Sequence, residues 1–215
     1  MTKNIDTIFA YLSELFPNAQ CELEYTKDYE LLIAIILSAQ CTDKRVNIVT
    51  KRLFADYPSL ESLNEASLKD IEEHIKELGL YKNKAKSIKN TTKILIENYD
   101  GVVPKDKKLL IQLPGVGNKT ANVFRAEWYH EPEIAVDTHV ARVAKRLGLA
   151  NEKDDVTVVE KKLRKYLNED YYIKAHHQLI HFGRYFCKAI SPHCKDCKLK
   201  HICKSYNSKF ASKTV

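Results

Sequence analysis

The chain has 215 residues, 44% of them apolar, which is enough for one large domain or two small ones with a buried core. Lysine and arginine number 35 against 28 aspartate and glutamate, and the formal charge of +7 favours a polyanionic partner without identifying one. No apolar run reaches the ~18 residues of a membrane span, and the first residues are unlike a signal or transit peptide, so we expect a cytoplasmic protein without membrane contact.

Apolar residues recur at helical spacing along nearly the whole chain, and this pattern predicts an all-α fold. Residues 31–39, LLIAIILSA, are apolar on all sides, which predicts a short helix buried within a domain. Ser67 is expected to cap the start of a later helix, and Gly79 is expected to end that helix. The clearest helical stripes are Ile5, Ile8, Phe9, Leu12 and Leu15, then Ile71, Ile75 and Leu78, and then Val156, Val159, Leu163 and Tyr166.

Residues 107–125 predict a helix-hairpin-helix motif with a PGVG turn and a second helix that begins near Asn118. Gly115 and Gly117 permit positive φ, so that backbone N–H groups can face outward while Val116 points into the core. Such a turn before a helix N-terminus predicts a cradle for phosphate. An ordinary corner between two helices, with glycines for close packing, is the alternative that this short motif leaves open.

Four of the six cysteines lie near the end of the chain, at Cys187, Cys194, Cys197 and Cys203. Their spacing in the loop 187–203 favours a metal site over the disulfide framework of a secreted protein. Four thiolates this close in sequence can surround one metal centre. The spacing alone leaves both zinc and an iron-sulfur cluster open.

Taken together, LPGVGNKTANV at 113–123 and IAVDTHVAR at 134–142 resemble the endonuclease III family of helix-hairpin-helix DNA glycosylases. The similarity continues through ELLIAIILSAQCTD, GLYKNKAKSI and the terminal cysteines. It implies two helical domains with a cleft between them. A central multi-helix domain would span residues 22–131, and a second domain would combine residues 1–21 and 132–215 and carry the cysteine loop.

The resemblance implies a bifunctional enzyme that releases oxidised or ring-saturated pyrimidines and cleaves the abasic site by β-elimination. It places the catalytic lysine at Lys119 and the catalytic aspartate at Asp137. A neutral amine near a helix N-terminus can attack the sugar C1′ and form a Schiff base, and a carboxylate can stabilise oxocarbenium character there. By its residues alone, Asp137 is an N-cap of the helix THVARVAKRL, a role that is compatible with catalysis.

The same resemblance implies a 4Fe-4S cluster on the four cysteines, for which we favour a structural role over a redox role. It also implies that Gln40 and Leu80 enter the space left by an extruded nucleotide. Without the resemblance, Gln40 is a surface amide and Leu80 a packing residue after a helix end. The expected partner is double-stranded DNA with damaged bases or abasic sites, bound by a monomeric, nucleoid-associated protein.

Two departures from the commonest family pattern put the substrate range in question, namely Asn118 in place of arginine and the stretch FRAEWYH at 124–130. Two rival functions stay open. A monofunctional mismatch glycosylase would carry a carboxylate within residues 31–39, which contain none. A non-catalytic DNA-binding protein with a metal knob would not need Lys119 and Asp137. His176, His177 and His181 are interpreted as packing or interface residues.

Overall fold

A computed structural model describes residues 4–211, and the side chains up to residue 208. Every regular element in that range is helical, which confirms the predicted all-α fold. None of the described helices is long and apolar enough to cross a membrane. The chain divides into two compact units: unit 1 comprises Met1–Cys21 and Pro132–Val215, and unit 2 comprises Glu22–Glu131.

Unit 2 is built around a central buried helix, α2, whose residues from Tyr29 to Leu37 are all buried. The predicted buried helix at 31–39 is therefore confirmed, with its end at Leu37. Surrounding helices bury apolar side chains such as Val46, Leu53 and Phe124 against it. The helices of unit 2 are α2 (Asp28–Leu37), α3 (Asp43–Asp56), α4 (Leu60–Glu65), α5 (Leu68–Ile75), α6 (Tyr81–Tyr99), α7 (Lys107–Leu110) and α8 (Asn118–Tyr129).

Unit 1 has its own apolar core, to which both ends of the described chain contribute. Helix α1 packs against the later helices through an edge-to-face pair of Phe9 and Tyr171 at 5.6 Å and another of Tyr11 and Phe182 at 6.4 Å. Its helices are α1 (Ile5–Leu15), α9 (Thr138–Leu147), α10 (Val156–Tyr166), α11 (Tyr172–His181) and α12 (Lys204–Ala211), with a 3-10 turn at Glu169–Tyr171 and a π-helical turn at Phe182–Phe186.

The predicted stripes lie on α1, on α5 and the turn after it, and on α10. Ser67 caps α5 as predicted, because its side chain accepts a hydrogen bond from the backbone N–H of Asp70. The prediction for Gly79 is wrong. Helix α5 ends near Lys76, and the left-handed residue is the next one, Leu80, with φ of 60°. Glycine is the usual left-handed residue after a helix, but this chain has leucine in that conformation.

Candidate functional site

The hairpin turn joins α7 to α8 and is fixed from inside unit 2. Val116 points into the core and is 6% exposed, as predicted. The hydroxyl of Thr91, on α6, donates a hydrogen bond to the carbonyl of Pro114 at 3.0 Å. Two backbone hydrogen bonds, each spanning three residues, tighten the turn: Leu113 N–H donates to the carbonyl of Leu110, and Val116 N–H donates to the carbonyl of Leu113. The first helix of the motif, α7, is a single turn of four residues.

Glycine occupies the two positions of the turn for different structural reasons. Gly115 has φ of +81°, and a Cβ built on it would lie 3.0 Å from both Cβ and Oγ of Ser87. Gly117 has φ of −98° and ψ of −178°, so it does not use the positive φ that glycine permits. A Cβ on Gly117 would meet no atom within 4 Å. Gly115 is thus required by packing and conformation, whereas Gly117 keeps the surface of the turn open.

Lys119 is the second residue of α8 and is exposed, next to the exposed Asn118. The first backbone N–H groups of a helix have no acceptor within the helix, and the helix dipole makes that end positive. The first turn of α8 carries no acidic residue, and the preceding helix carries Lys107 and Lys108. The start of α8 therefore offers N–H donors, positive potential and a primary amine on one short stretch of chain.

Asp137 is the N-cap of α9, in unit 1. Its Oδ1 accepts a hydrogen bond from the backbone N–H of Val140 at 2.8 Å. The capping role that the sequence indicated is therefore present. Capping places the carboxylate at the positive end of α9. The side chain is partly exposed, so capping leaves it accessible.

Gln40 and Leu80, both in unit 2, share an uncommon backbone conformation. Gln40 has φ of 58° and Leu80 has φ of 60°, and both residues are exposed. Helix N-caps normally have extended backbone, yet Leu80 occupies that position before α6 in the left-handed region, with its side chain 56% exposed. Strained backbone at bulky exposed residues is concentrated at functional sites.

The four terminal cysteines line one small cavity in unit 1, of about 30 Å³ and partly open to solvent. All are free thiols and half-buried. Within residues 4–211, no three His, Cys, Asp or Glu side chains converge on a position for a single metal ion. Burial raises the pKa of Cys197 and of Cys203, and the neighbouring cysteine sulfurs raise both further. Four thiols that face one cavity are a donor set that fits a cationic metal-sulfur centre.

Two arginines that the sequence analysis did not single out hold the first cysteine. Arg142 donates to the carbonyl of Gly183 at 2.7 Å and to the carbonyl of Cys187 at 3.4 Å. Arg146 donates to the carbonyl of Lys188 at 2.7 Å and lies 3.4 Å from Sγ of Cys187. Their spacing of four residues on α9 was the available signal, because it places both side chains on one helix face.

The histidines of α11 pack inside unit 1. His176 and His177 are buried, with ring centroids 5.1 Å apart, and His181 lies edge-on to Phe16 at 5.8 Å. These positions agree with the interpretation of the three residues as packing histidines. The cavity that the cysteines line includes none of the three.

Comparison with known proteins identifies the class to which this protein belongs. Residues 33–169 match the model of the HhH-GPD superfamily, described as base excision DNA repair protein. Endonuclease III of Bacillus subtilis (strain 168) is 49% identical over 203 residues, covering 94% of this chain and 92% of that protein. Endonuclease III of Rickettsia felis is 47% identical over 209 residues, with 97% and 98% covered. The fold and the sequence thus define a helix-hairpin-helix protein of base excision DNA repair.

A solved structure of a trapped covalent intermediate of endonuclease III with DNA superposes with a TM-score of 0.94 at 45% identity, covering 98% of this chain and 99% of that chain. The chain belongs to the endonuclease III family. This membership confirms the predicted class of enzyme, a DNA glycosylase and abasic-site lyase, and both rival functions are disfavoured by it.

Proposed function

We propose that this enzyme releases oxidised or ring-saturated pyrimidines from duplex DNA and then cleaves the abasic site, with Lys119 as the nucleophile of both steps. One observation carries the proposal: Lys119 lies exposed in the first turn of α8, directly behind a hairpin turn suited to a DNA phosphate. The phosphate contact would fix the register of the sugar-phosphate backbone beside the amine. A covalent intermediate with DNA, as named for the solved relative, is the species that such a nucleophile forms.

The chemistry balances with one amine and one water. The neutral amine of Lys119 attacks C1′, the glycosidic C–N bond breaks, and the base leaves with a proton. The C1′–O4′ bond then breaks, the remaining proton of the lysine nitrogen passes to O4′, and the nitrogen and C1′ form a Schiff base. Loss of a proton from C2′ then expels the 3′-phosphate by β-elimination. Water finally hydrolyses the imine and returns the free lysine.

Asp137 is proposed to stabilise positive charge at C1′ and to exchange protons with Lys119. Its hydrogen bond to the N–H of Val140 fixes the orientation of the carboxylate without consuming its charge. Because Oδ1 accepts this bond, Oδ2 is the oxygen assigned to the reaction.

Gln40 and Leu80 are proposed to enter the helix when the damaged nucleotide is extruded. Gln40 offers a donor and an acceptor to the base left without its partner, and Leu80 provides an apolar wedge between stacked bases. The exposure and left-handed backbone of both residues support these roles. Leu80→Ala should slow base removal from duplex DNA more than cleavage at a preformed abasic site, because extrusion of an abasic nucleotide costs less. Equal slowing of both reactions would remove the assignment.

The four cysteines are proposed to hold a 4Fe-4S cluster with a structural role. When bound, the cluster contributes its binding free energy to the folding of residues 187–203. Arg146, which contacts both Cys187 and the carbonyl of Lys188, would orient the first ligand. Protein purified without oxygen should be yellow-brown with broad absorption near about 400 nm. A colourless protein with one equivalent of zinc would contradict this assignment.

Borohydride trapping tests the nucleophile. Reduction during the reaction should lock wild-type protein onto DNA through Lys119. Lys119→Arg should form no adduct while it still binds DNA, because guanidinium keeps the charge but is not nucleophilic. Lys93→Ala, at an exposed lysine on α6, is the matched control and should form the adduct normally. An adduct at normal yield with Lys119→Arg would assign the nucleophile to another amine.

A panel of damaged duplexes tests the substrate. Base release and nicking should occur together on oxidised pyrimidines, such as thymine glycol, and nicking alone on abasic sites. Base release without nicking would instead favour a monofunctional enzyme. We further propose that the protein acts as a monomer on chromosomal DNA, which sedimentation of the protein with and without duplex would check.

A further inference from the structure

Lys84, on the first turns of α6, is a buried cation far from the cysteine cavity and from Lys119 in sequence. It is 5% exposed, whereas Lys82 and Lys86 on the same helix are exposed. Burial of an ammonium group without partners costs several kcal/mol. The groups that Lys84 contacts therefore indicate the role of this buried side chain.

The ammonium of Lys84 makes three contacts, all to one segment. It donates to the carbonyl of Leu37 at 2.9 Å and to the carbonyl of Ala39 at 2.7 Å. It also donates to Sγ of Cys41 at 3.3 Å. The carbonyl of Leu37 belongs to the C-terminus of α2, the negative end of that helix. All three donors of the ammonium are used, and the chain between Leu37 and Cys41 is held at three positions.

That segment contains Gln40, between two residues that Lys84 contacts. Lys84 is also connected to Leu80, which lies one helical turn before it. The backbone N–H of Lys84 donates to the carbonyl of Leu80 at 3.1 Å. Both Gln40 and Leu80 have left-handed backbone. Such conformations persist only where the surrounding contacts determine them. One residue thus bonds to both strained segments, to one through its side chain and to the other through its backbone.

We propose that Lys84 is a positioning residue that holds the Gln40 segment against the N-terminus of α6, so that Gln40 and Leu80 enter the DNA as one rigid pair. The inference rests on the proposed insertion roles of these two residues. Lys84 itself touches no substrate. Its effect is on the geometry of Gln40 relative to Leu80, and a displacement of about 1 Å in such a site lowers a rate by as much as roughly a hundredfold.

Lys84→Met tests the inference, because methionine fills the space of the lysine stem and removes the three contacts. Removal of a damaged pyrimidine from duplex DNA in single turnover should fall roughly ten- to a hundredfold. Cleavage at a preformed abasic site should fall much less. Lys82→Met and Lys86→Met, at exposed lysines two residues to either side, are the matched controls and should leave the ratio of the two rates unchanged. A merely structural role would lower both rates equally, and that result would overturn the inference.

A double-mutant cycle with Gln40→Ala separates this inference from the function on which it rests. If Lys84 acts through Gln40, Lys84→Met should add little to the loss already caused by Gln40→Ala. If Gln40→Ala slows base removal but Lys84→Met does not, only the role of Lys84 is refuted. If Gln40→Ala has no effect, the insertion role itself fails, and this inference fails with it. Should Lys84→Met not fold, Lys84→Gln, which retains an amide donor, carries the same comparison.

Discussion

Gly115→Ala separates the two glycines of the hairpin turn, which look equivalent in sequence. The added Cβ would lie 3.0 Å from Cβ and Oγ of Ser87 and 3.3 Å from Cγ2 of Ile36. Ser87 is half-buried on α6 and Ile36 lies on the buried helix α2, so the new Cβ would press on two helices at the surface edge of the unit 2 core. The backbone would in addition keep φ of +81° at a residue with a Cβ.

The expected loss of stability has two parts. A left-handed backbone at a non-glycine residue costs about 1–2 kcal/mol. Inserting a methyl group into a packed site costs about 1–3 kcal/mol. Gly115→Ala should therefore lower the free energy of unfolding by about 2–5 kcal/mol. Gly117→Ala meets open space and has no positive φ, so its free energy of unfolding should fall by no more than about 1 kcal/mol, the cost of alanine at the N-cap of α8.

Urea denaturation of the protein as purified, followed by circular dichroism, measures both changes, and thermal unfolding of Gly115→Ala should begin roughly 4–20 °C lower. For the DNA affinity of the folded proteins we expect the opposite order, with a larger loss from a side chain at Gly117 than from one at Gly115. Gly117→Val should bind duplex less tightly at moderate salt, because its side chain occupies the surface offered to phosphate. Gly115→Ala should cost less in a Ser87→Gly background than in wild type, because glycine at 87 removes both Ser87 atoms that the new Cβ would meet. Equal stability of Gly115→Ala and wild type would refute the packing argument, and unchanged affinity of Gly117→Val would refute the phosphate cradle.

Three further predictions concern unit 1 and the surface of unit 2. Asp137→Asn should retain the cap and the stability of α9 but turn over roughly 10²–10³-fold more slowly. Asp137→Ala should in addition lose about 0.5–2 kcal/mol of stability. Equal activity of Asp137→Asn and wild type would contradict the catalytic role. Burial lowers the pKa of His74, but hydrogen bonds to Asp56 and to the Asp70 carbonyl raise that pKa overall, so the stability it contributes should be full below about pH 6.5 and be lost as the pH rises through the folded pKa. The difference in urea midpoint between wild type and His74→Gln should accordingly shrink with pH, and a constant difference would refute the linkage. Cys203→Ala should lose bound iron and expose residues 187–203 to trypsin, and normal iron content would remove Cys203 from the ligand set.

Much of the fold was predictable because it follows from periodicity and capping. The apolar run of α2 admits no exposed face, so its burial could be inferred from composition alone. Ser67 and Asp137 each have an acceptor side chain before a helical stripe, and each caps a helix as expected. The grouping of Cys187 with the other three cysteines followed from spacing, and all four line one cavity.

The errors fall where conformation is decided by tertiary contacts. Glycine permits positive φ but does not require it, so the sequence could not distinguish Gly115 from Gly117; the position of Ser87 does. Leucine disfavours left-handed backbone, and Leu80 was therefore not expected there. Lys84 resembles its exposed neighbours in sequence, because burial of a long cation depends on carbonyls that lie 45 and 47 residues away along the chain.

Unit 1 is made of two chain segments that unit 2 separates in sequence, and this affects how the chain folds during synthesis. Helix α1 emerges from the ribosome early, but its partners Tyr171 and Phe182 are made only after the whole of unit 2. At ~5–20 residues per second, the apolar side of α1 waits roughly 10–30 s for them. Unit 2 is a continuous segment and can complete its own core within that interval. The nascent chain thus carries the apolar residues of α1 unburied while unit 2 is made, which makes this segment the one expected to engage a chaperone.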